Sequence, residues 1–465
     1  MAIPDYLSSG EPARLIPVAA DSSKEVRAVS ILLATLMSVP AFARTMLASI
    51  GQRVGARANL DNYTEAVFRD GDAARVRPDG LIELDGGRGR TWRCLVEGKV
   101  GRATLDSDQI STYLALAKTH KIDAVLTVSN QFATIPKHSP VNIAKAALRG
   151  VDLFHWSWMF ILTQARLLLS DNEFDRPEQR YILAEMVRYF SHPSVGVSKF
   201  DRMNPEWKEL VAQVQTGVRL NKSAPEVEKS VAAWHQETRD LCLLLTAQVR
   251  RPVRIRLSRA HADDPSLRLH DDSALLAERH YLECGLDVPD AAAPIEVIAD
   301  VQRRSVTVSM SLTAPKDKRR TSSRVNWLLR QVAKAGPDGL HVRATWPGRA
   351  PATQATLKAL REDGSRIDAD NQKLVPTQFS LLLVKDLAGK FSGSKSFIEH
   401  LEEAVPQFYE QVGQYLRAYI EPPPRVRKES RDAQSGEPLE GISDEAASAA
   451  SEAVDETPKS PPPER

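Results

Sequence analysis

The sequence predicts an α/β fold with a mixed β-sheet, and three observations lead to this prediction. The apolar runs RPDGLIEL and TWRCLVEGKV flank the turn DGGRGR, a pattern typical of a β-hairpin. The amphipathic segment DSDQISTYLALAKTH and the buried run IDAVLTVSN follow as a helix and a strand. Strand-like and helix-like segments alternate again beyond residue 250. With 465 residues, the chain has room for about two or three domains.

The N-terminal part contains one long apolar segment. Residues 24–50 predict an amphipathic helix that is kinked at Pro40. The run VSILLATLMSVPAFARTML is the one candidate for a membrane span, but Pro40 and Arg44 interrupt it, and a span needs ~20 clean apolar residues. The first 13 residues carry two acidic and no basic side chains, unlike a signal peptide. We therefore expect residues 1–56 to form an N-terminal helical segment and no membrane association.

Residues 57–156 predict the core of the first domain, in the order helix, strand, strand, helix, strand, strand. The first helix is expected around NLDNYTEAVFRD, from Asn59 to Asp70. Asp106 or Ser107 caps the second helix, and the runs IDAVLTVSN and GVDLFHW supply the last two strands. The turn DGGRGR leads into a strand rather than a helix, so it does not fit a phosphate-binding loop.

The remainder of the chain divides into two regions and a tail. Residues 157–249 contain four helical patterns and predict a helical middle segment. Residues 250–420 mix five strand-like with three helix-like segments and predict a second α/β domain. Residues 421–465 are rich in Pro, Ser, Glu and Ala, with few large apolar side chains, and predict a disordered C-terminal tail.

Charge and cysteine content bear on the compartment and the partners. The net charge is +2 overall, but −5 after residue 420 and +7 before it. A mildly basic body is compatible with a polyanion partner and does not require one. The three cysteines are far apart and form no CxxC pair, which excludes a cysteine-based zinc site and argues against a disulfide framework. We expect a reducing, cytoplasmic compartment.

Charged residues at the ends of the hairpin strands predict a metal centre. Asp79 and Glu97 lie on neighbouring strands, and carboxylate and carbonyl oxygens are the ligands that Mg²⁺ prefers. Residues two apart in a strand point to one face, so Glu97 and Lys99 project together. The Gly98 carbonyl is a further candidate ligand, and a glycine allows close approach of the backbone.

This pattern resembles the PD-(D/E)XK nuclease superfamily over residues 59–156. RPDG supplies the Pro-Asp element, VEGK supplies the Glu-x-Lys element, and QISTY matches the QxxxY element of the RecB-like branch. The resemblance implies a restriction-endonuclease-like mixed-sheet core with flanking helices. It also implies Mg²⁺- or Mn²⁺-dependent hydrolysis of nucleic acid, with DNA favoured over RNA, in genome defence or repair.

The resemblance also implies roles for individual residues. Asp79 and Glu97, with the Gly98 carbonyl, would bind the metal, and Lys99 would orient or deprotonate the attacking water. Glu65, in the helix expected before the hairpin, would be an additional metal ligand, although a solvated helix charge is the alternative. Gln109 and Tyr113, which share a helix face, would position Lys99 or the phosphate. A plain packing role is the alternative for Tyr113.

Several readings stay open at this level. A regulatory protein that binds nucleic acid or protein without cutting is one rival, and a nuclease held inactive until the C-terminal domain senses a ligand is another. A homodimer and a protein partner bound through the C-terminal domain are also open. The His- and Asp-rich segment from His261 to His280 is a candidate metal site, with acidic turns as the alternative. HWSW, from His155 to Trp158, is a candidate base-stacking surface, with core packing as the alternative. KDKRR, from Lys316 to Arg320, is a candidate phosphate contact, with a solvated basic face as the alternative.

Overall fold

Two β-sheets organise the chain in the computed structural model, which describes residues 4–17, 24–69, 76–87, 89–171, 174–336, 338–368 and 373–421. The described residues up to Ile420 belong to one compact unit. The α/β prediction is confirmed, because a six-stranded mixed sheet and a seven-stranded sheet are both accompanied by helices. The predicted disordered tail lies outside the described residues, apart from Glu421.

The first sheet has its strands in sequence order. Its first four strands are antiparallel neighbours, whereas the fourth, fifth and sixth are parallel. The strands are β1 (Leu7–Pro12), β2 (Asn59–Phe68), β3 (Gly80–Asp85), β4 (Thr91–Gly98), β5 (Ala124–Ser129) and β6 (Asp152–Ser157). The helices within this part of the chain are α1 (Lys24–Ser38), α2 (Pro40–Ala48) and α3 (Ser107–Thr119). The predicted hairpin, the second predicted helix and the two strands after it are therefore confirmed.

Successive side chains along the strands of this sheet point to opposite faces, and the two faces belong to different cores. Ile82 and Val96 belong to a core that contains α1 and α2, while their neighbours Leu81 and Leu95 belong to a core that contains α3. This is the period of two that a strand imposes on its side chains. Glu97, two residues beyond Leu95, accordingly faces the side of α3.

The predicted helix from Asn59 to Asp70 is wrong, because residues 59–68 form β2. This strand pairs with β1 on one side and β3 on the other, and these ladder hydrogen bonds outweigh the local helical pattern. Glu65 lies at an irregularity in the β1–β2 register and has a positive φ of 52°. An extra residue in one strand of an antiparallel pair bends it in this way.

The long N-terminal helix is divided at Pro40. The chain bends by 110° between α1 and α2. Pro40 occupies the first turn of α2, where its missing N–H is not required. Within the described residues no single helix has the length and apolarity to cross a membrane, and this bent pair meets the test only jointly, by length and composition. β1, which precedes α1, is not anticipated from the sequence.

The helical middle segment is shared between the two cores. It contains α4 (Trp158–Asp171), α5 (Pro177–Phe190), α6 (Trp207–Gln215) and α7 (Pro225–Val249). Buried side chains of α4 and α5 join the core of the first sheet, and those of α6 join the core of the second. α7 contributes to both, since Leu243 lies in the first core and Trp234 in the second.

The second sheet has the order β12-β11-β13-β10-β9-β8-β7. Its strands are β7 (Arg254–Ile255), β8 (Tyr281–Asp287), β9 (Ile295–Asp300), β10 (Ser305–Thr313), β11 (Leu340–Thr345), β12 (Thr353–Thr356) and β13 (Gln378–Asp386). The helices of this part are α8 (Arg259–Asp263), α9 (Pro265–Arg279), α10 (Thr321–Gln331), α11 (Leu357–Glu362) and α12 (Ser394–Gln411). The segment expected to be a loop from His261 to His280 is mainly helical, because Ser258 and Asp264 cap α8 and α9. The run TQATLKALRED, one of the three helix-like segments expected in residues 250–420, is divided between β12 and α11.

Candidate active site

The register of the hairpin brings Asp79 beside Glu97. Gly80 pairs with Val96, and continuing this antiparallel register by one residue places Asp79 opposite Glu97. The Asp79 Oδ2 atom accepts a hydrogen bond of 2.8 Å from the Gly98 backbone N–H. The side chain of Asp79 is therefore held against the end of β4.

Glu97 is the centre of the polar network. The residue is 1% exposed, and its Oε1 atom accepts hydrogen bonds from Lys99 Nζ at 2.6 Å and from Gln109 Nε2 at 2.7 Å. The contact with Lys99 confirms that the two side chains share a strand face. Its Oε2 atom is buried and has no hydrogen-bond partner. A buried, unpartnered carboxylate oxygen costs free energy unless a cation or a proton meets it.

Helix α3 delivers the two residues of the QxxxY element. Asp106 caps its N-terminus by accepting hydrogen bonds from the N–H groups of Asp108 and Gln109. Gln109 Nε2 also lies 3.0 Å from Tyr113 Oη, and that hydroxyl donates to the Arg77 carbonyl at 3.4 Å. The structure thus brings together Asp79, Glu97, Lys99, Gln109 and Tyr113.

The acidic residue from the preceding helix is Glu25 rather than Glu65. Glu25 lies in the first turn of α1, and its carboxylate is 3.7 Å from Lys99 Nζ. The carboxylate of Glu65 forms an ion pair with Arg77 at 2.9 Å, although its backbone N–H donates to the Asp79 carbonyl. The sequence signal for Glu25 is an acidic residue in the first turn of an amphipathic helix, which is too common to single it out.

Two glycines let α1 approach the hairpin closely. A Cβ atom on Gly98 would lie 2.4 Å from Val29 Cγ2, and one on Gly80 would lie 2.6 Å from Leu33 Cδ1. Both distances are shorter than side chains tolerate, so the absence of a Cβ at these positions sets the depth of α1 on the sheet. This depth places Glu25 within reach of Lys99.

Gly98→Ala is expected to lower the free energy of unfolding by about 1–3 kcal/mol, the usual cost of overpacking a core. Urea unfolding should show a smaller loss in a Val29→Ala background, because the clash with Val29 Cγ2 is then absent. Gly55→Ala is a suitable control, since no heavy atom lies within 4 Å of its added Cβ. An equal cost of Gly98→Ala in both backgrounds would contradict this account of the packing.

Burial and neighbouring charges shift the pKa values of several side chains in the site. Burial and the charge of Glu97 raise the pKa of Asp79 to about 7. For Lys99, burial disfavours the ammonium, but the hydrogen bond and charge of Glu97, with Glu25 and Asp79, raise its pKa overall. Burial and the charge of Glu97 raise the pKa of the Tyr113 hydroxyl. Lys99 is therefore an ammonium at neutral pH, and Tyr113 keeps its proton.

Without divalent metal, Asp79→Asn is expected to be more stable than the wild type at pH 8. The raised pKa means that the folded chain binds more protons than the unfolded chain between about pH 4 and pH 7. The stability contributed by this carboxyl is thus complete below about pH 4 and is lost as the pH rises through about 7. Urea unfolding in EDTA should show the advantage of Asp79→Asn growing from pH 4 to pH 8, and an advantage independent of pH would refute the assignment.

The other segments singled out in the sequence make specific contacts in the structure. Trp156 and Trp158 are fully buried, and Trp158 Nε1 donates to the Lys99 carbonyl at 2.8 Å, so HWSW supports the site through packing. His261 pairs with Asp271, and Asp264 caps α9, which fits the capping alternative for this segment. Arg324 contacts the KDKRR segment, because its Nε atom donates a hydrogen bond to the Lys318 carbonyl.

The chemistry of the donor set fits a hard divalent cation. Two carboxylates and the Gly98 carbonyl offer oxygen atoms of the kind that such ions prefer, Glu97 Oε2 lacks a partner, and a lysine ammonium adjoins the same carboxylate. Comparison of the chain with protein-family models, with curated proteins and with solved structures finds no match.

Proposed function

We propose that this chain is a metal-dependent nuclease with a restriction-endonuclease-like core, which hydrolyses phosphodiester bonds in nucleic acid. One observation carries the proposal. Glu97 Oε1 is held by Lys99 and Gln109 while its buried Oε2 has no partner, at the end of the strand opposite Asp79. Structural ion pairs usually satisfy both oxygens of a buried carboxylate, so the free oxygen indicates a ligand.

Asp79, Glu97 and the Gly98 carbonyl would hold Mg²⁺ or Mn²⁺. Such an ion stabilises negative charge on the phosphate and lowers the pKa of a bound water. The hydrogen bond from the Gly98 N–H fixes Asp79, and the two hydrogen bonds to Oε1 fix Glu97, so both carboxylates are preorganised.

Lys99 supplies the positive charge that the transition state requires. Its side chain is 15% exposed, and its ammonium is held between Glu97 and Glu25. From this position it can orient the attacking water and stabilise charge on the phosphate oxygens. Gln109 and Tyr113 are positioning residues, since they act on Glu97 and through it on Lys99.

DNA is the proposed substrate on the strength of the superfamily resemblance, and the +7 charge of residues 1–420 is compatible with a polyanion. Genome defence and repair are the proposed settings, in a cytoplasmic compartment.

A cleavage assay with purified full-length chain tests the proposal. Plasmid DNA, linear duplex DNA, single-stranded DNA and RNA are each incubated with Mg²⁺, with Mn²⁺ and with EDTA. We expect cleavage of at least one substrate with metal and none with EDTA. Metal-dependent binding of these substrates without any cleavage would favour the non-cleaving regulatory alternative.

A further inference from the structure

A second group of carboxylates lies away from the candidate active site, where α7 packs against α12. Glu237 and Asp240 are three residues apart on α7, and Glu402 is on α12. One oxygen from each lies within 4.8 Å of the others. Glu237 is fully buried and Asp240 is 1% exposed.

Three of the six carboxylate oxygens of this cluster are buried without a hydrogen-bond partner. Both carboxylate oxygens of Glu237 and the Oε1 atom of Glu402 are buried without a hydrogen bond. Asp240 Oδ2 accepts a 3.2 Å hydrogen bond from the Phe200 N–H, and Glu402 Oε2 pairs with Lys199 Nζ. The Lys199 ammonium therefore faces three carboxylates, and the Arg239 guanidinium adds a second positive charge that acts on Asp240.

Such a cluster is costly without a counter-charge. Burial and neighbouring carboxylates raise the pKa of Glu237 well above its usual range, and burial with the charge of Glu402 raises that of Asp240 to about 7. Shared protons would relieve the repulsion through short O–H···O⁻ hydrogen bonds between carboxyls. No such hydrogen bond joins these three described residues, and Glu237 has no partner at either oxygen.

We propose that Glu237, Asp240 and Glu402 bind a hard divalent cation, namely Mg²⁺, Mn²⁺ or Ca²⁺. The ligands are all oxygen, which these ions prefer. Bond lengths of about 2.0–2.6 Å place oxygens on opposite sides of one such ion about 4–5 Å apart, which matches the observed spacing of up to 4.8 Å. The fully buried Glu237, with both oxygens free, aims into this space.

The ion would join the helical middle segment to the second sheet and its helices, since α7 and α12 each supply ligands. Lys199, whose side chain is 48% exposed, pairs with Glu402 and competes with the ion for the negative charge of that carboxylate. The site is independent of the proposed nuclease function, because it shares no residue with it.

Binding of Mn²⁺ by equilibrium dialysis tests the proposal. The full-length chain carries Asp79→Asn and Glu97→Gln, so that the candidate active site does not contribute. We expect one bound Mn²⁺ per chain, none after the further substitution Glu237→Gln, and one after Glu403→Gln. Glu403 is a matched control on α12 that pairs with Lys385 and is 63% exposed. No bound Mn²⁺ in the starting variant, or binding unchanged by Glu237→Gln, would overturn the proposal.

Lys199→Gln provides a second test in the same background. Removing the competing ammonium should tighten Mn²⁺ binding several-fold, and Mn²⁺ should raise the melting temperature more than in the parent. If Lys199 instead supplies the main counter-charge of the cluster, Lys199→Gln lowers the melting temperature and Mn²⁺ does not restore it. That result would contradict the cation site.

Discussion

Lys99→Ala is expected to lower turnover by about 10²-fold or more, the usual cost of removing one preorganised electrostatic group. The Lys99 ammonium contacts Glu97 at 2.6 Å and would act mainly where negative charge grows on the phosphate and the attacking oxygen. Interactions that strengthen only in the transition state appear in kcat rather than in substrate binding. Single-turnover cleavage at saturating Mg²⁺, with substrate binding measured separately, gives both quantities.

Two further variants sharpen the test of Lys99. Lys118→Ala removes an exposed lysine from α3 and should leave cleavage unchanged. Lys99→Arg should rescue poorly, because a planar guanidinium does not fit the place of a compact ammonium between Glu97 and Glu25. Equal rates for wild type and folded Lys99→Ala would show that the lysine has no role in catalysis.

Asp79→Ala is expected to abolish both divalent-metal binding at this site and cleavage. It removes one of the two proposed carboxylate ligands and leaves the Gly98 N–H without its acceptor. Lys99→Ala should retain metal because both carboxylates remain, so the two variants separate metal binding from catalysis. Mn²⁺ dialysis and cleavage should be measured on the same preparations.

Asp108→Ala, an exposed carboxylate on α3, is the control for nonspecific loss of charge. It should keep the metal stoichiometry of the wild type. An Asp79→Ala chain that binds metal at this site and cleaves normally would be incompatible with the proposed ligand set.

The hairpin and α3 could be predicted from the sequence because their signals are local. Apolar alternation, a Gly-rich turn and the Asp106 cap are each contained in a short segment, and the i, i+4 spacing places Gln109 and Tyr113 on one face. The contact of Glu97 with Lys99 follows from strand parity alone.

The role of Glu25 could not be predicted, because it depends on how α1 packs. Glu25 and Lys99 meet only because Gly80 and Gly98 admit Val29 and Leu33 against distant strands. The sequence of β2 wrongly predicts a helix for a similar reason, since the strand is stabilised by pairing with β1 and β3 rather than by its own sequence. Both errors concern contacts between residues far apart in the chain.

The cluster of Glu237, Asp240 and Glu402 could not be predicted from the sequence either. Glu237 and Asp240 look like ordinary polar positions of a long helix, and Glu402 lies more than 150 residues away. Only the packing of α12 against α7 buries them together.

Anomalous diffraction from crystals of the full-length chain grown with Mn²⁺ tests the central claim most directly, because it does not depend on choosing the right substrate. We predict a Mn²⁺ peak at bonding distance from carboxylate oxygens of Asp79 and Glu97 and from the Gly98 carbonyl, with Glu97 Oε2 as a ligand and the Lys99 ammonium on the same side. A chain saturated with Mn²⁺ that shows no peak between Asp79 and Glu97 would contradict the proposed metal centre and the nuclease mechanism built on it.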